Sequence, residues 1–244
     1  MSETDGVQII RLLHPTDEEK DRCQEVLFEG FKSNNLSHRI SSPQHPLPLS
    51  DHRRNVYHRH KIDCASIDCE IWVVKVAPEG EGEGQAEEEG GGEGEIVCVG
   101  LVVPPGKELF DTEEKAVIHE AALDELDPSA KAWFENEFIP HAAKETDLLP
   151  YGNDKRYHVQ ALSTHPSFSH RGLARRLLKA VEERARGQGC RVGLNTTTAE
   201  LAGFYERCGF RRVYSTVLDW QLDGLDTFDF YILVNDCGLQ GEGP

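Results

Sequence analysis

Nothing in this 244-residue sequence is apolar for long. The best run, residues 96–103, has the length of a strand, whereas a membrane-crossing helix needs roughly 18 or more such residues. No basic segment followed by an apolar stretch opens the chain, so no export signal is expected. Cationic side chains are scarce too: 26 Lys and Arg stand against 43 Asp and Glu, a formal charge of -17. So acidic a surface repels phosphate backbones and anionic lipid, which excludes nucleic acid and membrane as expected partners and favours cationic ones. A glycine-rich dinucleotide fingerprint after the first strand is missing, which argues against a nucleotide-dependent oxidoreductase. The seven cysteines follow no framework spacing. In a chain with no export signal they are expected to be reduced, in a cytoplasmic or nucleocytoplasmic setting. His58, His60, Cys64 and Cys69 come nearest to a metal-ligand set, but their spacing is not that of a compact zinc site, so no metal is expected.

Apolar residues make up only 38% of the chain, and one polar segment explains part of the shortfall. Residues 79–95 hold eight Glu and seven Gly in seventeen positions, too little side chain to offset the entropy of ordering them. This disordered loop is expected to join two strands, 69–76 and 96–103, as an enlarged hairpin connection. The chain is otherwise long enough for one substantial core, and a single domain over 1–244 is expected.

Taken in order, residues 7–13 read as a strand. Thr16 with Glu19 has capping-box spacing, and Cys23, Leu27 and Phe31 form one face of the helix that follows. Residues 33–49, rich in Ser, Asn, His and Pro, read as irregular chain, and the locally basic 53–61 as a solvated patch or helix face. Residues 106–155 form a helical insertion. Within it, 112–126 carries Ile118, Ala122 and Leu126 as a buried stripe. Asp127-Pro128 then opens a second helix through Phe138. The insertion reads as a structural brace, with closure over a groove as the alternative.

The chemistry concentrates in residues 156–213. A strand runs through Ala161, Leu162, Ser163 and Thr164 into a turn at Pro166, and an amphipathic helix opens at about Arg171. The first turn of a helix leaves four N–H groups unpaired at the positive end of its dipole, an arrangement that holds phosphate oxygens. Arg171, Arg175 and Arg176 add charge, while Leu173, Leu177, Val181 and Ala185 give that helix a buried face. A strand at 191–195, a helix at 198–208, and an antiparallel pair at 211–218 and 228–234 complete the set. The last residues read as a frayed tail.

Ser169-His170-Arg171-Gly172-Leu173-Ala174 resembles the pyrophosphate-binding signature of the GCN5-related N-acetyltransferase family, Gln or Arg, two residues, Gly, one residue, then Gly or Ala. Phe204-Tyr205-Glu206-Arg207-Cys208-Gly209-Phe210 resembles the segment in which that family places a tyrosine before a Gly-Phe pair. Gly172 and Ala174 match, and Ser169 departs from the expected Gln or Arg. The resemblance implies a mixed α/β (α+β) fold, a mostly antiparallel sheet flanked by helices, with acetyl-CoA as cofactor. It also implies acetyl transfer to a primary amine by direct attack in a ternary complex.

By the same resemblance Ser169, His170, Arg171, Gly172, Leu173, Ala174 and Arg175 hold the pyrophosphate, and Ala161, Leu162, Ser163 and Thr164 offer a strand edge to the pantetheine arm. Tyr205 protonates the departing thiolate; packing beside Phe204 and Phe210 is its alternative role. His158 is the candidate base; His165 at the other end of the strand, the more remote Glu70 and His119, and water-mediated deprotonation are the alternatives. The amine is the expected partner, its cationic form favoured by the overall charge, and monomer and homodimer both stay open. Ser169 motivates the rival reading, a noncatalytic acyl-CoA-binding or protein-interaction module of the same fold.

Overall fold

The computed structural model describes residues 6–32, 51–77, 94–126, 128–146, 151–218 and 227–239. The irregular 33–49 stretch, nearly all of the acidic 79–95 loop and the end of the tail lie outside them. The chain starts with strand β1 (Val7–Leu12) and helix α1 (Asp17–Gly30). At the head of α1 the Thr16 hydroxyl accepts from Glu19 N–H and the Glu19 carboxylate accepts from Thr16 N–H, each at 3.2 Å. The capping box read from the sequence therefore starts this helix, and Cys23, Val26 and Leu27 form its buried face.

Helix α2 (Asp51–Asp68) leads into β2 (Glu70–Val76) and β3 (Glu95–Val103), which pair antiparallel as the hairpin reading expected. Then come α3 (Glu113–Asp124), α4 (Pro128–Trp133), a π-helical turn (Phe134–Phe138) and α5 (Ile139–Thr146). The rest is β4 (Arg156–Thr164), α6 (Leu173–Gly187), β5 (Arg191–Thr196), α7 (Ala199–Arg207), β6 (Arg211–Leu218) and β7 (Phe228–Asn235). The seven strands make one sheet in the order β1-β2-β3-β4-β5-β7-β6. Every neighbouring pair is antiparallel except β4 with β5.

Both faces of the sheet are covered, and the period-2 alternation of its strands sorts the residues between them. Trp72 and Val74 of β2 meet α6 through Leu173, Leu177, Leu178 and Val181, while Ile71 and Val73 meet α1 and α2 through Cys23, Leu27, Ile62 and Ala65. In β3 every residue after Glu95 is buried, as a central strand between two helix layers must be. Each fully buried Leu or Val of the α6 stripe contributes about 1.5–3 kcal/mol of transfer free energy. Glu70 ties the layers together at one end: its carboxylate accepts from Arg11 Nη1 at 2.8 Å, Arg184 Nε at 2.7 Å and Trp72 Nε1 at 2.9 Å.

Two sequence expectations change here. The basic stretch at 53–61 is not wholly a solvated face, because helix α2 turns Tyr57, His58 and His60 inward and buries them. His58 stacks on Phe31 with ring centroids 5.5 Å apart, and His60 on Phe110 at 5.6 Å, so these rings pack as aromatics. The insertion braces β7 as expected: Leu123, Leu126, Trp133 and Phe134 pack with Tyr57, Phe230, Ile232 and Val234. Its second helix, though, passes through a π-turn and continues into α5. Lys115 anchors α3 to the end of α2; its buried ammonium pairs with Asp68 and with Asp111 (2.7 Å) and donates to Glu108 O at 3.0 Å.

The close crossing of α1 over β4 generates one prediction. A Cβ on Gly30 would stand 1.7 Å from Ser163 Oγ, which itself donates to Val26 O at 3.2 Å. Gly30→Ala should cost about 1–3 kcal/mol in urea unfolding, with part regained when Ser163→Ala is added. Buried His60 generates another. Burial, with the nearby Lys61 charge, holds its pKa down to about 3, and its Nε2 has no hydrogen-bond partner. The unfolded chain takes up a proton below about pH 6.5 that the folded chain refuses, so this stability is full above that pH and is lost as pH falls toward the folded value. Unfolding free energy should drop between pH 7 and 5, by on the order of 1–2 kcal/mol from this residue, and His60→Phe should flatten the drop.

Candidate functional site

Strands β4 and β5 run side by side only from Arg156↔Arg191 to Val159↔Leu194. Beyond that point they part. On β3 the register jumps from Leu101↔Ala161 to Val102↔Val159, which leaves Gln160 as an extra residue on β4. A bulge of this kind bends its strand and sharpens the local twist. Asn195 and Thr196 of β5 meanwhile keep their pairing with Ile232 and Tyr231 of β7. One strand bends and the other does not, so a gap opens between two neighbours in the middle of a sheet.

The gap leaves part of β4 with a free edge. His165 N–H bonds Val97 O at 2.8 Å, and the alternation of an antiparallel ladder then turns the amide groups of Leu162 and Thr164 to the open side. The Ser163 hydroxyl is engaged by α1 and its backbone groups face β3, so, against the sequence expectation, Ser163 offers no group to the open edge. A cavity of about 680 Å³ occupies the gap and extends between the helices on either side. Its lining includes His158, Ala161, Leu162 and Tyr205 from the expected site. It also includes Gln160, Asn195, Thr196 and the aromatics Tyr57, Phe134 and Phe138, which the sequence reading did not select.

At the end of β4 a short 3₁₀ turn (Pro166–Phe168) leads to Ser169, and the chain then enters the left-handed region at His170 (φ 62°) and again at Gly172 (φ 73°). Helix α6 starts at Leu173, two residues later than the sequence suggested, with Gly172 as its N-cap. No side chain caps it, so its first-turn amides have no side-chain acceptor. At φ 73° a side chain is strained, and there is open space where a Cβ would stand. Ser169, His170, Arg171 and Arg175 are exposed around this turn, Ala174 is half-buried, and Leu173 is buried in the core and contributes only its amide. The Arg171 guanidinium lies 5.0 Å from the Phe168 ring centroid, which orients it beside the turn. The loop stands at the start of α6 and outside the cavity lining, so of the expected site residues the cavity brings together His158, Ala161, Leu162 and Tyr205 and not residues 163–175.

Tyr205 comes from α7, started by Thr198, whose hydroxyl accepts from Leu201 N–H at 3.2 Å. Its ring packs edge-on to Phe204 and Phe210, at 5.2 and 5.7 Å, so the packing role and a place on the cavity wall coexist. Burial pushes its phenol pKa up, which keeps the hydroxyl protonated throughout the neutral range. His158 lies on the cavity floor with Nδ1 buried and without a hydrogen-bond partner. Burial, then the neighbouring Arg156 guanidinium, hold its pKa down to about 4, so the ring is neutral near pH 7. Of the alternative bases, Glu70 is committed to its two arginines and Trp72 away from this cavity, and His119 stacks on Phe110 at 3.9 Å. Sequence alone gave no sign of Gln160, because a bulge is a property of two strands in register. The spacing of Phe134 and Phe138 was visible, but not the cavity they line.

Residues 140–212 match the model of the acetyltransferase (GNAT) domain. Over 53 residues the chain is 40% identical to glucosamine 6-phosphate N-acetyltransferase 1 of Oryza sativa subsp. japonica, a stretch that is 22% of this chain and 32% of that enzyme. The chain thus spans about a third of the length of that curated relative. Among solved structures, one titled histone acetyltransferase HPA2 and related acetyltransferase, from Corynebacterium glutamicum, superimposes with a TM-score of 0.56 at 16% identity, covering 94% of this chain and 96% of that one. The mosquito arylalkylamine N-acetyltransferase like 5b gives a TM-score of 0.56 at 14% identity, covering 93% of this chain and 100% of that one. At such identities the likeness is one of fold. The domain match takes in the uncapped turn, Tyr205 and the start of β6, so residues 140–212 resemble an acetyltransferase (GNAT) domain, and the fold of the chain is like that of these solved acetyltransferases.

Proposed function

We propose that the protein is an acetyl-CoA-dependent N-acetyltransferase that delivers the acetyl group to a primary amine by direct attack within a ternary complex. The observation that carries this reading is the gap between β4 and β5, with a free strand edge, an uncapped helix start beyond one end and a protonated phenol on its wall. Acetyl-CoA would supply an activated acyl carbon on a thiolate leaving group. The residues present fit it: the amides from Ser169 to Arg175 for the pyrophosphate, with Arg171 and Arg175 beside them, and the Leu162 and Thr164 edge for the pantetheine arm.

Within the gap the chain's own groups have separable tasks. Tyr205 keeps its proton and so donates a hydrogen bond, and finally the proton, toward charge that develops at sulfur. His158, held neutral with a pKa of about 4, is too weak a base to strip an ammonium ion; its ring nitrogen suits it to orient an amine that is already neutral. The packed layers on both faces of the sheet hold the strands that border the gap, so two reactants bound in it are fixed against each other. The rival reading, a noncatalytic acyl-CoA-binding or interaction module, draws on Ser169 standing where the family has Gln or Arg.

Thiol release measured together with mass-detected product, over a panel of amines, separates the two. Coupled appearance of coenzyme A and an acetylated amine is the expected result; tight acetyl-CoA binding with neither product would favour the module. In the active enzyme Tyr205→Phe should lower kcat by about 10²–10⁴-fold. Acetyl-CoA affinity and thermal midpoint should stay close to the parent, and a large loss of stability would return Tyr205 to a packing role.

A further inference from the structure

The cavity has two ends of different character. Tyr157 and Val159 of β4 belong to the core on the α6 side, so Arg156 and His158, which alternate with them, face the opposite layer. There α2 contributes Tyr57 and Lys61, and the π-turn contributes Phe134 and Phe138. The phosphate-holding turn is on the α6 side, which leaves the α2 and insertion end for the acyl acceptor.

The charge at this end runs against that of the whole chain. Among the described residues the cavity lining holds three cationic side chains, Lys61, Lys107 and Arg156, and one carboxylate, Glu108, which is exposed. Lys107 spends its charge on Asp68 at 2.6 Å. The Lys61 ammonium sits 3.9 Å from the centroid of the Tyr57 ring, and no carboxylate pairs with it among the described residues. Arg156 is 7% exposed and directs Nη1 to Tyr151 O at 2.9 Å, which positions a guanidinium on the cavity floor. A chain with a net charge of -17 has thus turned positive charge into its acceptor pocket, between aromatic walls.

Resting on the acetyltransferase reading, we propose that the acceptor is an amine that also carries an anionic group, a carboxylate or a phosphate, on an aromatic or apolar body, and that Lys61 selects for the anion. Two consequences of one field support this. Fixed cations attract the anionic end of the acceptor and so set its orientation. They also disfavour an ammonium relative to a free amine, which delivers the nucleophile without a strong base, in keeping with the weak basicity of His158. The formal charge of the whole molecule suggested a cationic acceptor, but it is the lining of the pocket that a bound amine meets.

The test uses phenethylamines that differ only at the para position: carboxylate, phosphate, methyl and aminomethyl. With the parent enzyme, kcat/KM for one of the anionic members should exceed that for the methyl compound by about 10-fold or more, as for a charge-assisted contact. The better of the two tells carboxylate from phosphate. Lys61→Met should remove most of that preference, Lys61→Arg should keep it, and Lys61→Glu should move it toward the aminomethyl compound. Binding of the unreactive 4-ethylbenzoate and 4-ethylphenyl phosphate, followed by calorimetry on parent and Lys61→Glu, reads the anion site without turnover. Equal rates for methyl and anionic members, or a preference for aminomethyl, would overturn the anion site and leave the acetyltransferase reading intact. Lys61-dependent binding of the unreactive anions with no acetylation of any amine would do the reverse. If neither unreactive anion binds and no anionic amine is preferred, the proposal fails.

Discussion

The separation of β4 from β5 is the constraint on which the rest of this structure depends. Two parallel neighbours in a sheet ordinarily stay bonded, because each unpaired N–H or C=O in the interior costs free energy. Here Gln160 bulges out of the β3 register while β7 holds the end of β5, and after four paired residues the strands diverge. The orphaned edge at Leu162 and Thr164 is tolerable only where something else can bond to it. A strand-like ligand arm in the gap, as proposed for acetyl-CoA, would satisfy the same groups that the missing pairing would have satisfied.

What surrounds the gap keeps it open and gives each end its character. α6 presses Leu173, Leu177, Leu178 and Val181 onto one face of the sheet, and α1 with α2 closes the other. Gly30 and Ser163 lock α1 onto β4 just beyond the bulge, so the bent segment is held from one side by the hydrogen bond to Val26. On the far side the insertion is brace and wall together. Trp133 and Phe134 pack against β7 and Tyr57, and Phe134 and Phe138 also line the cavity, so stability and pocket shape come from the same helices.

Electrostatics differs between the helix start and the cavity. The helix start at Leu173 presents uncapped amides to solvent beside Arg171 and Arg175. The wall carries a phenol that burial keeps protonated, and the floor an imidazole that burial keeps neutral. Desolvation therefore sets both protonation states, and among the described residues the cavity lining carries Lys61, Lys107 and Arg156 against one carboxylate, Glu108. An acidic exterior with a cationic pocket concentrates attraction in one place instead of spreading it over the surface.

Much of this was legible in the sequence where the cause is local. The capping box at Thr16 and Glu19, the four-residue stripe of α6, the strands on either side of the acidic loop and the Gly172 turn all follow from neighbours within a few positions, and so did the family resemblance and the placing of Tyr205. The bulge at Gln160, the inward turn of Tyr57, His58 and His60, and the joining of Phe134 to Tyr57 depend on which strand or helix lies opposite. Sequence determined the order of elements and the turn at Gly172, because helix starts and period-2 or 3.6-residue patterns are written in adjacent residues. Only the tertiary structure decided where the sheet splits and what charge the pocket presents, because both arise from residues far apart in the chain whose meeting no local pattern records.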